Sequence, residues 1–143
     1  MRLTRHTDYA LRTLSFLAIH DGEPARIADI ARRMGMPSDH VAKVVARLAA
    51  LGYVETTRGR VGGVRLARDP ADIVVGDVVR ATEDNLTLVE CFDPVTNQCP
   101  IAPACLLAPT LGAALDAFFE VLDRRTLADL TKRPRELAQL LLP

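Results

Sequence analysis

The sequence predicts a mainly α-helical fold with one β-hairpin and a long C-terminal helix. Apolar residues recur at helical spacing through most of the chain, two short runs of β-forming residues flank a glycine-rich turn, and an apolar stripe follows Pro109. The 143 residues are enough for one domain with an appendage, and the 49% that are apolar are enough for a core.

Three helices are predicted in the first fifty residues. Thr7 is expected to cap the first helix, and the apolar face of that helix then consists of Ala10, Leu11, Leu14, Leu17 and Ala18. The second helix is expected over residues 27–34, where Gly35 ends it. The third is expected to begin at residues 37–39 and to end at Gly52. Its inward face consists of Val41, Val44, Val45, Leu48 and Leu51.

A β-hairpin is predicted after the third helix. Residues 53–57 and 64–67 alternate as strands do, and the connection at 58–63 contains three glycines. Two short helices separated by a glycine turn and followed by a hairpin are typical of a winged helix-turn-helix with a two-stranded β wing. We expect this domain to cover residues 1–70.

The rest of the chain is expected to form a linking helix, a loop and a long helix. The helix is predicted over 73–83 and the loop over 94–109, where prolines restrict the backbone at Pro94, Pro100, Pro103 and Pro109. The long helix after Pro109 carries an apolar stripe formed by Leu111, Leu115, Phe118 and Leu122. This stripe needs a partner, either within the chain or along a homodimer seam. A short helix and an apolar tail are expected at 126–142.

We therefore divide the second half into residues 71–108, with the linking helix and a cysteine loop, and residues 109–143, with a dimerisation helix and a C-terminal tail. Charge divides the chain in a similar place. Residues 1–68 contain 12 Lys and Arg against 6 Asp and Glu, and the remaining residues contain 6 against 12. The basic half indicates a nucleic-acid surface, with chance segregation of solvated charge as the alternative.

A recognition helix enters the major groove of DNA, and the residues near its N-terminus reach the base edges. The third helix has the matching position here, while arginines at the wing tip and at the first helix are placed to meet the grooves or phosphates. The residues expected to contact double-stranded DNA are Arg2, Arg5, Arg12, Ser38, Asp39, His40, Lys43, Arg47, Arg58 and Arg60.

Several classes of protein are disfavoured. No apolar run reaches the roughly 20 residues of a membrane span, and the N-terminus has no apolar signal-peptide core, so we expect a cytoplasmic protein without a membrane partner. Two Tyr, four Phe and no Trp disfavour a reader of single strands. No catalytic triad, carboxylate pair or nucleotide loop is recognisable, so we do not expect an enzyme.

The three cysteines, Cys91, Cys99 and Cys105, all lie within 15 residues. Zinc ribbons and thioredoxin-like sites prefer a Cys-x2-Cys pair, which is absent. Three soft thiolates on a long loop favour an iron–sulfur cluster, whose fourth ligand must be an Asp, Glu or His elsewhere. An oxygen ligand is held less tightly, which would open that iron to a small molecule such as nitric oxide. Three unliganded thiols that act as a redox switch are the alternative.

Several motifs together carry a resemblance to a known family. These are residues 1–4 (MRLT), 7–12 (TDYALR), 58–66 (RGRVGGVRL), 75–80 (VGDVVR), 88–91 (LVEC) and 99–106 (CPIAPACL). They resemble the IscR/NsrR-type iron–sulfur transcription regulators over nearly the whole chain, and the cysteine loop and residues 126–130 are most similar to the nitric-oxide-sensitive branch. The other branch would have a histidine soon after the third cysteine, and residues 106–109 contain none.

The resemblance implies a homodimeric repressor of operator DNA with one cluster per subunit. It implies cluster ligands at Cys91, Cys99 and Cys105, and a fourth at Asp8 from the other subunit, with Glu90 as the rival ligand. The effector implied is nitric oxide. The seven-residue first spacing is longer than is usual in the family; we expect a 4Fe–4S cluster, with 2Fe–2S as the alternative. The other functions considered are a redox- or iron-responsive regulator with a 2Fe–2S cluster, and a metal- or redox-binding protein with a non-functional helix-turn-helix.

Overall fold

The computed structural model describes residues 2–20, 22–57, 59 and 62–141. It confirms the mainly helical, winged helix-turn-helix fold with a long C-terminal helix. The helices and strands are α1 (Arg5–Ile19), α2 (Ile27–Met34), α3 (Ser38–Ala50), β1 (Val54–Thr57), β2 (Gly63–Leu66), α4 (Val75–Thr82), α5 (Leu107–Asp123), α6 (Leu127–Leu130) and α7 (Pro134–Leu141). Short 3-10 helices cover residues 70–72, 90–92 and 102–104.

The core is built around α1, which packs against α2, α3, α4, β2, α6 and α7. The largest fully buried apolar side chains come from α1, α2, α3, β2, α4, α6 and the segment before α4, and they are Phe16, Leu14, Ile30, Leu48, Ile73, Leu127, Val41, Val44, Val64, Val78 and Val79. Four of the five residues predicted to face inward from α3 are fully buried, and Leu51 is half-buried. The recognition helix is therefore seated on α1 by a continuous apolar contact.

The turn between α2 and α3 has a well-defined geometry. Gly35 adopts a left-handed conformation with φ of 61°, which a residue without a Cβ adopts at no steric cost. The Met36 N–H then donates to the Ala31 carbonyl at 2.8 Å, closing a Schellman motif. This motif ends α2 and sets the direction in which α3 begins.

The expectation that Thr7 caps α1 was wrong. The helix begins earlier, and Thr4 accepts a hydrogen bond from the Thr7 N–H at 3.3 Å. Thr7 is fully buried, and its hydroxyl accepts from Thr82 Oγ1 at 3.0 Å. A tertiary contact decides between the two threonines, because Glu83 beyond the end of α4 accepts from the Thr4 N–H at 2.7 Å.

The wing is an antiparallel pair in which Val54 lies opposite Leu66 and Thr57 opposite Gly63. Strand β2 also bridges to Ala25, with reciprocal hydrogen bonds of 2.9 and 2.8 Å between Ala25 and Val64. The hairpin is thereby tied to the segment that leads into α2. Two wing-tip residues predicted to bind DNA, Arg58 and Arg60, lie outside the described residues.

Gly63 is required where β2 approaches that segment. A Cβ added there would lie 2.9 Å from the Ala25 oxygen and 3.1 Å from the Ala25 carbonyl carbon, and backbone atoms cannot move aside cheaply. We expect Gly63→Ala to lower the free energy of unfolding by about 1–3 kcal/mol. Denaturant titration measures this. In Gly112→Ala, the matched control on α5, the added Cβ meets nothing within 4 Å, and this variant should be neutral or more stable by up to about 1 kcal/mol.

The C-terminal part differs from expectation in two respects. Helix α5 begins at Leu107 and contains Pro109, which is tolerated because first-turn N–H groups have no helical partner. The expected apolar tail folds as α7, and Leu141 packs against the core. The predicted stripe of α5 is half-buried, and the residue of α5 that is buried is Phe119.

A charged clamp joins α5 to α4. Arg80 donates to both carboxylate oxygens of Asp123 at 2.7 Å, and its guanidinium lies 4.2 Å from the centre of the Phe119 ring. These hydrogen bonds lower the pKa of Asp123. Gly76 leaves the space for this pair, since an added Cβ would lie 1.8 Å from Asp123 Oδ1. The long helix is thus fixed to the element that also contacts α1.

Candidate functional site

The exposed face of α3 carries the polar residues predicted to read DNA. Ser38, Asp39, His40, Lys43 and Arg47 are all exposed, while the opposite face of the helix is buried. The structure therefore brings these five residues together on one surface at the recognition helix. The N-terminal turn, which in this motif contacts base edges, contributes the first three of them.

Arg47 has an additional contact that the sequence did not predict. Its Nη2 donates to the Ala81 carbonyl at 2.9 Å, in the last turn of α4. A second arginine, Arg12 on α1, donates to the Met34 carbonyl at the end of α2, and its Nη1 lies 3.4 Å from Asp8 Oδ2. Each arginine therefore joins the helix-turn-helix to its surroundings, with part of its guanidinium still exposed.

The other predicted DNA-binding residues near the N-terminus lie at the start of the chain. Arg5 is exposed at the beginning of α1 and lines a pocket together with His40 and Lys43. Arg2 is exposed and lines a different pocket, together with Glu83 and Phe118. Sequence reasoning missed the part played in the first pocket by His6 and Tyr9. The four-residue spacing of Tyr9 from Arg5 on one helical face was an available signal, whereas no such spacing pointed to His6.

The cysteine loop forms a second candidate site. Cys91, Cys99 and Cys105 are half-buried free thiols, and all three line a single pocket of about 180 Å³. The remaining lining is mainly apolar and consists of Val89, Glu90, Ile101, Leu107, Ala108 and Leu111. The loop folds back on the start of α5, so that residues 14 positions apart share one cavity.

Hydrogen bonds accepted by acidic and amide side-chain oxygens shape the long first spacer. Asp93 Oδ1 accepts from the Val95 N–H at 2.9 Å and Oδ2 from the Thr96 hydroxyl at 2.8 Å, and these bonds lower the pKa of Asp93. Asn97 Oδ1 accepts from the Cys99 N–H at 3.0 Å. The extra residues of the spacer are thus taken up by a side-chain-bonded turn that presents Cys99 to the pocket.

Glu90 closes the same spacer from its other end. Its Oε1 accepts from the Gln98 N–H at 2.6 Å, across the seven residues between the first two cysteines. Glu90 is also one of the residues that line the pocket, so it lies near the three cysteines as well as being bonded to the loop. This contact gives Glu90 a structural role independent of any ligand.

The donor set of the pocket fits a polynuclear iron–sulfur group better than a single ion. Within the described ranges, no three His, Cys, Asp or Glu side chains converge closely enough to bind one metal ion. The thiols nevertheless line one cavity, and in a 4Fe–4S cluster each cysteine binds a different iron atom. Soft thiolates in a mostly apolar pocket are suitable for that group.

Asp8 is not part of this pocket within one chain. It lies in the first turn of α1, exposed and facing Arg12, and the pocket lining does not include it. The four predicted ligands are therefore divided between two places in the protomer.

Comparison with known proteins agrees with this combination of a helix-turn-helix and a three-cysteine loop. Residues 3–133 match the Rrf2 family, described as iron-dependent transcriptional regulators. The chain belongs to the Rrf2 family. The HTH-type transcriptional regulator NsrR of Bacillus subtilis is 50% identical over 142 residues, which are 99% of this chain and 97% of that relative. The resemblance inferred from the motifs is confirmed.

Two solved Rrf2-like structures support the fold. IscR of T. potens matches with a TM-score of 0.75 and 28% identity, covering 95% of this chain and 90% of that one. CymR, the global cysteine regulator of B. subtilis, matches with a TM-score of 0.71 and 28% identity, covering 92% and 97%. This Rrf2 chain is accordingly a DNA-binding transcriptional regulator.

Among the helices that the structure describes, none is long and apolar enough to cross a membrane.

Proposed function

We propose that this Rrf2 chain is a homodimeric repressor whose operator binding is controlled by nitric oxide through an iron–sulfur cluster. The observation that carries the proposal is the single pocket lined by Cys91, Cys99 and Cys105 in a chain with an exposed recognition helix. We propose that the cluster is 4Fe–4S. The proposed functional regions of the chain are the DNA-binding domain at residues 1–70, the linking helix and cysteine loop at 71–108, and the dimerisation helix and tail at 109–143.

The chain's own side chains supply the ligands in this proposal. The three cysteine thiolates would each bind one iron, and Asp8 of the second subunit would supply a carboxylate as the fourth ligand. When bound, the cluster would supply iron that reacts with nitric oxide, most readily where the ligand is a carboxylate. Glu90, whose Oε1 is already bonded to the Gln98 N–H, would hold the loop rather than bind iron.

The apolar surface of α5 and its flanks supports dimerisation. Leu107 and Val121 are 61% and 62% exposed, and Leu106 is 82% exposed beside the cysteine pocket. The stripe predicted from the sequence is only half-buried within the protomer. A stripe of apolar side chains that stays partly exposed along a long helix is typical of a helix-to-helix seam between two copies.

A short chain of contacts would connect Asp8 to the DNA-binding surface. Arg12 lies one turn further along α1, and its Nη1 is 3.4 Å from Asp8 Oδ2. The same guanidinium donates to the Met34 carbonyl at the end of α2. Any change in what Asp8 binds therefore alters the partner of the arginine that caps α2. In the dimer this would change how the two recognition helices are held, about 34 Å apart on one face of DNA.

The test is operator binding by three forms of the protein prepared without oxygen: cluster-loaded, cluster-free and treated with nitric oxide. The duplex is a palindrome selected from a random library with the loaded protein. We expect tight binding by the loaded form only, with at least about a tenfold loss in the other two. Cluster-free protein treated with nitric oxide is the control for direct effects of the gas, and its weaker binding should not change. Equal affinity in all three forms would contradict the proposal, as would a one-chain mass by light scattering.

A further inference from the structure

A small cationic pocket lies between the start of α1 and the exposed face of α3. Its volume is about 210 Å³, and its lining consists of Arg5, His6, Tyr9, His40, Lys43 and Val44. Two of these side chains, Arg5 and Lys43, carry a formal positive charge at pH 7, and three more can donate hydrogen bonds from a ring nitrogen or a hydroxyl group. No carboxylate of the described residues is part of this lining. Such a set of donors is suited to an anion.

Helix geometry concentrates these donors at one point. Arg5 and Tyr9 are four residues apart on α1, and His40 and Lys43 are three apart on α3, so each pair shares a helical face. The Tyr9 and His40 rings meet edge to face, with centroids 6.0 Å apart and an angle of 63° between their planes. This contact fixes the two faces against each other at the pocket.

The two cations of the pocket have no internal carboxylate to neutralise them. Arg12 pairs with Asp8, but neither Arg5 nor Lys43 lies within ion-pair distance of an acidic group in the part of the chain that the structure describes. Asp39 Oδ2 is 3.7 Å from His40 Nε2 and is itself outside the lining. The charge of Arg5 and Lys43 is therefore available to an external ligand.

We infer that this pocket seats one phosphate diester of the DNA backbone, shared between Arg5 and Lys43. The inference rests on the proposed DNA-binding function and adds a specific contact to it. In this motif the recognition helix enters the major groove while a preceding helix crosses the backbone, so their junction meets a DNA strand at the groove edge. The Tyr9 hydroxyl and the imidazole N–H groups donate to the same phosphate and set the position of the recognition helix.

The salt dependence of DNA binding tests how many phosphates the two cations neutralise. Each neutralised phosphate contributes about −0.9 to the slope of log K against log salt concentration. We expect the double variant Arg5→Met, Lys43→Met to have a slope less negative by about 0.9 per bound protomer. Raising salt from about 50 to about 200 mM then weakens the wild type roughly threefold to fourfold more than this variant, per protomer.

Two slope results would overturn the inference. An unchanged slope means that the pocket contacts no phosphate, and a change of about 1.8 per protomer means that the cations bind two separate phosphates. Lys132→Met is the matched control, because it removes an exposed cation between α6 and α7 and should leave the slope unchanged. Circular dichroism confirms that each variant is folded before its slope is measured.

A second measurement locates the phosphate. Single uncharged methylphosphonate linkages are placed in turn along the selected palindrome. We expect one linkage in each half-site at which the substitution weakens binding by the wild type and has no effect on the double variant. If every linkage weakens both proteins equally, the pocket does not seat a phosphate.

Measurements on two duplexes distinguish a failure of the phosphate contact from a failure of the proposed operator recognition. Slopes are measured on both the selected palindrome and a random-sequence duplex, since a phosphate contact exists on either. Equal affinity for the two duplexes contradicts operator recognition and leaves the slope comparison intact. Equal slopes for the wild type and the double variant contradict the pocket alone.

Discussion

Replacing any one of Cys91, Cys99 or Cys105 with serine is expected to abolish cluster binding. All three thiols line one pocket, so each would hold a different corner of the same group, and a serine hydroxyl is a hard donor that binds iron poorly in this setting. We expect a loss of more than about a hundredfold in cluster affinity, because even changing a residue behind a ligand typically costs 10–100-fold. Iron and acid-labile sulfide per chain, with the visible absorption spectrum, measure the loss.

Glu90→Gln is the matched control in the same pocket. A glutamine keeps an oxygen that can accept from the Gln98 N–H, so the loop keeps its shape while the carboxylate is lost. Full iron content in this variant, together with loss in Asp8→Ala, would identify Asp8 as the fourth ligand. Loss in Glu90→Gln with retention in Asp8→Ala would assign that role to Glu90. Full iron in all three cysteine variants would contradict the cluster itself.

Leu48→Ala is expected to produce the largest loss of stability among changes to the recognition helix. Leu48 has no exposed surface and packs in the core beneath α3. Removing its side chain takes away buried apolar contacts and leaves a cavity, which costs about 2–5 kcal/mol of unfolding free energy. DNA binding should weaken as well, because Leu48 belongs to the buried face that holds α3 against the core. Urea titration with circular dichroism gives the change directly.

A leucine-to-alanine change at an exposed site is the control, because it makes the same change of residue type without removing a buried side chain. Leu140 on α7 is 80% exposed, so Leu140→Ala should change the unfolding free energy by less than about 0.5 kcal/mol. A loss at Leu140 as large as that at Leu48 would show that the exposed side of α7 is covered in the folded assembly. A loss under about 1 kcal/mol at Leu48 would contradict its place in the core.

Much of the fold was predictable because its signals are local. Gly35 marks the turn between α2 and α3 by itself, since a left-handed backbone favours glycine. The apolar spacing of α3 predicted its buried face, and the glycine-rich connection predicted the hairpin. These features depend on residues within one or two turns of each other, so no knowledge of the distant chain was needed.

Two of the errors have a common cause. Thr4 rather than Thr7 caps α1 because Glu83, about eighty positions later, bonds to Thr4. Phe119 rather than the predicted stripe is the buried residue of α5 because Arg80 and Asp123 fix which side of the helix meets α4. In each case local spacing allowed two answers, and a contact distant in sequence selected one.

The sequence alone determined the chemistry available to this protein: three soft sulfur donors within 15 residues, a basic first half and a helix-turn-helix pattern. Only the tertiary structure decided where those groups meet. It gathered the three thiols around one pocket, separated Asp8 from them within the protomer, and placed Arg5 beside Lys43. The physical reason is that spacing along the chain limits the reach of a side chain, whereas packing between helices sets its neighbours.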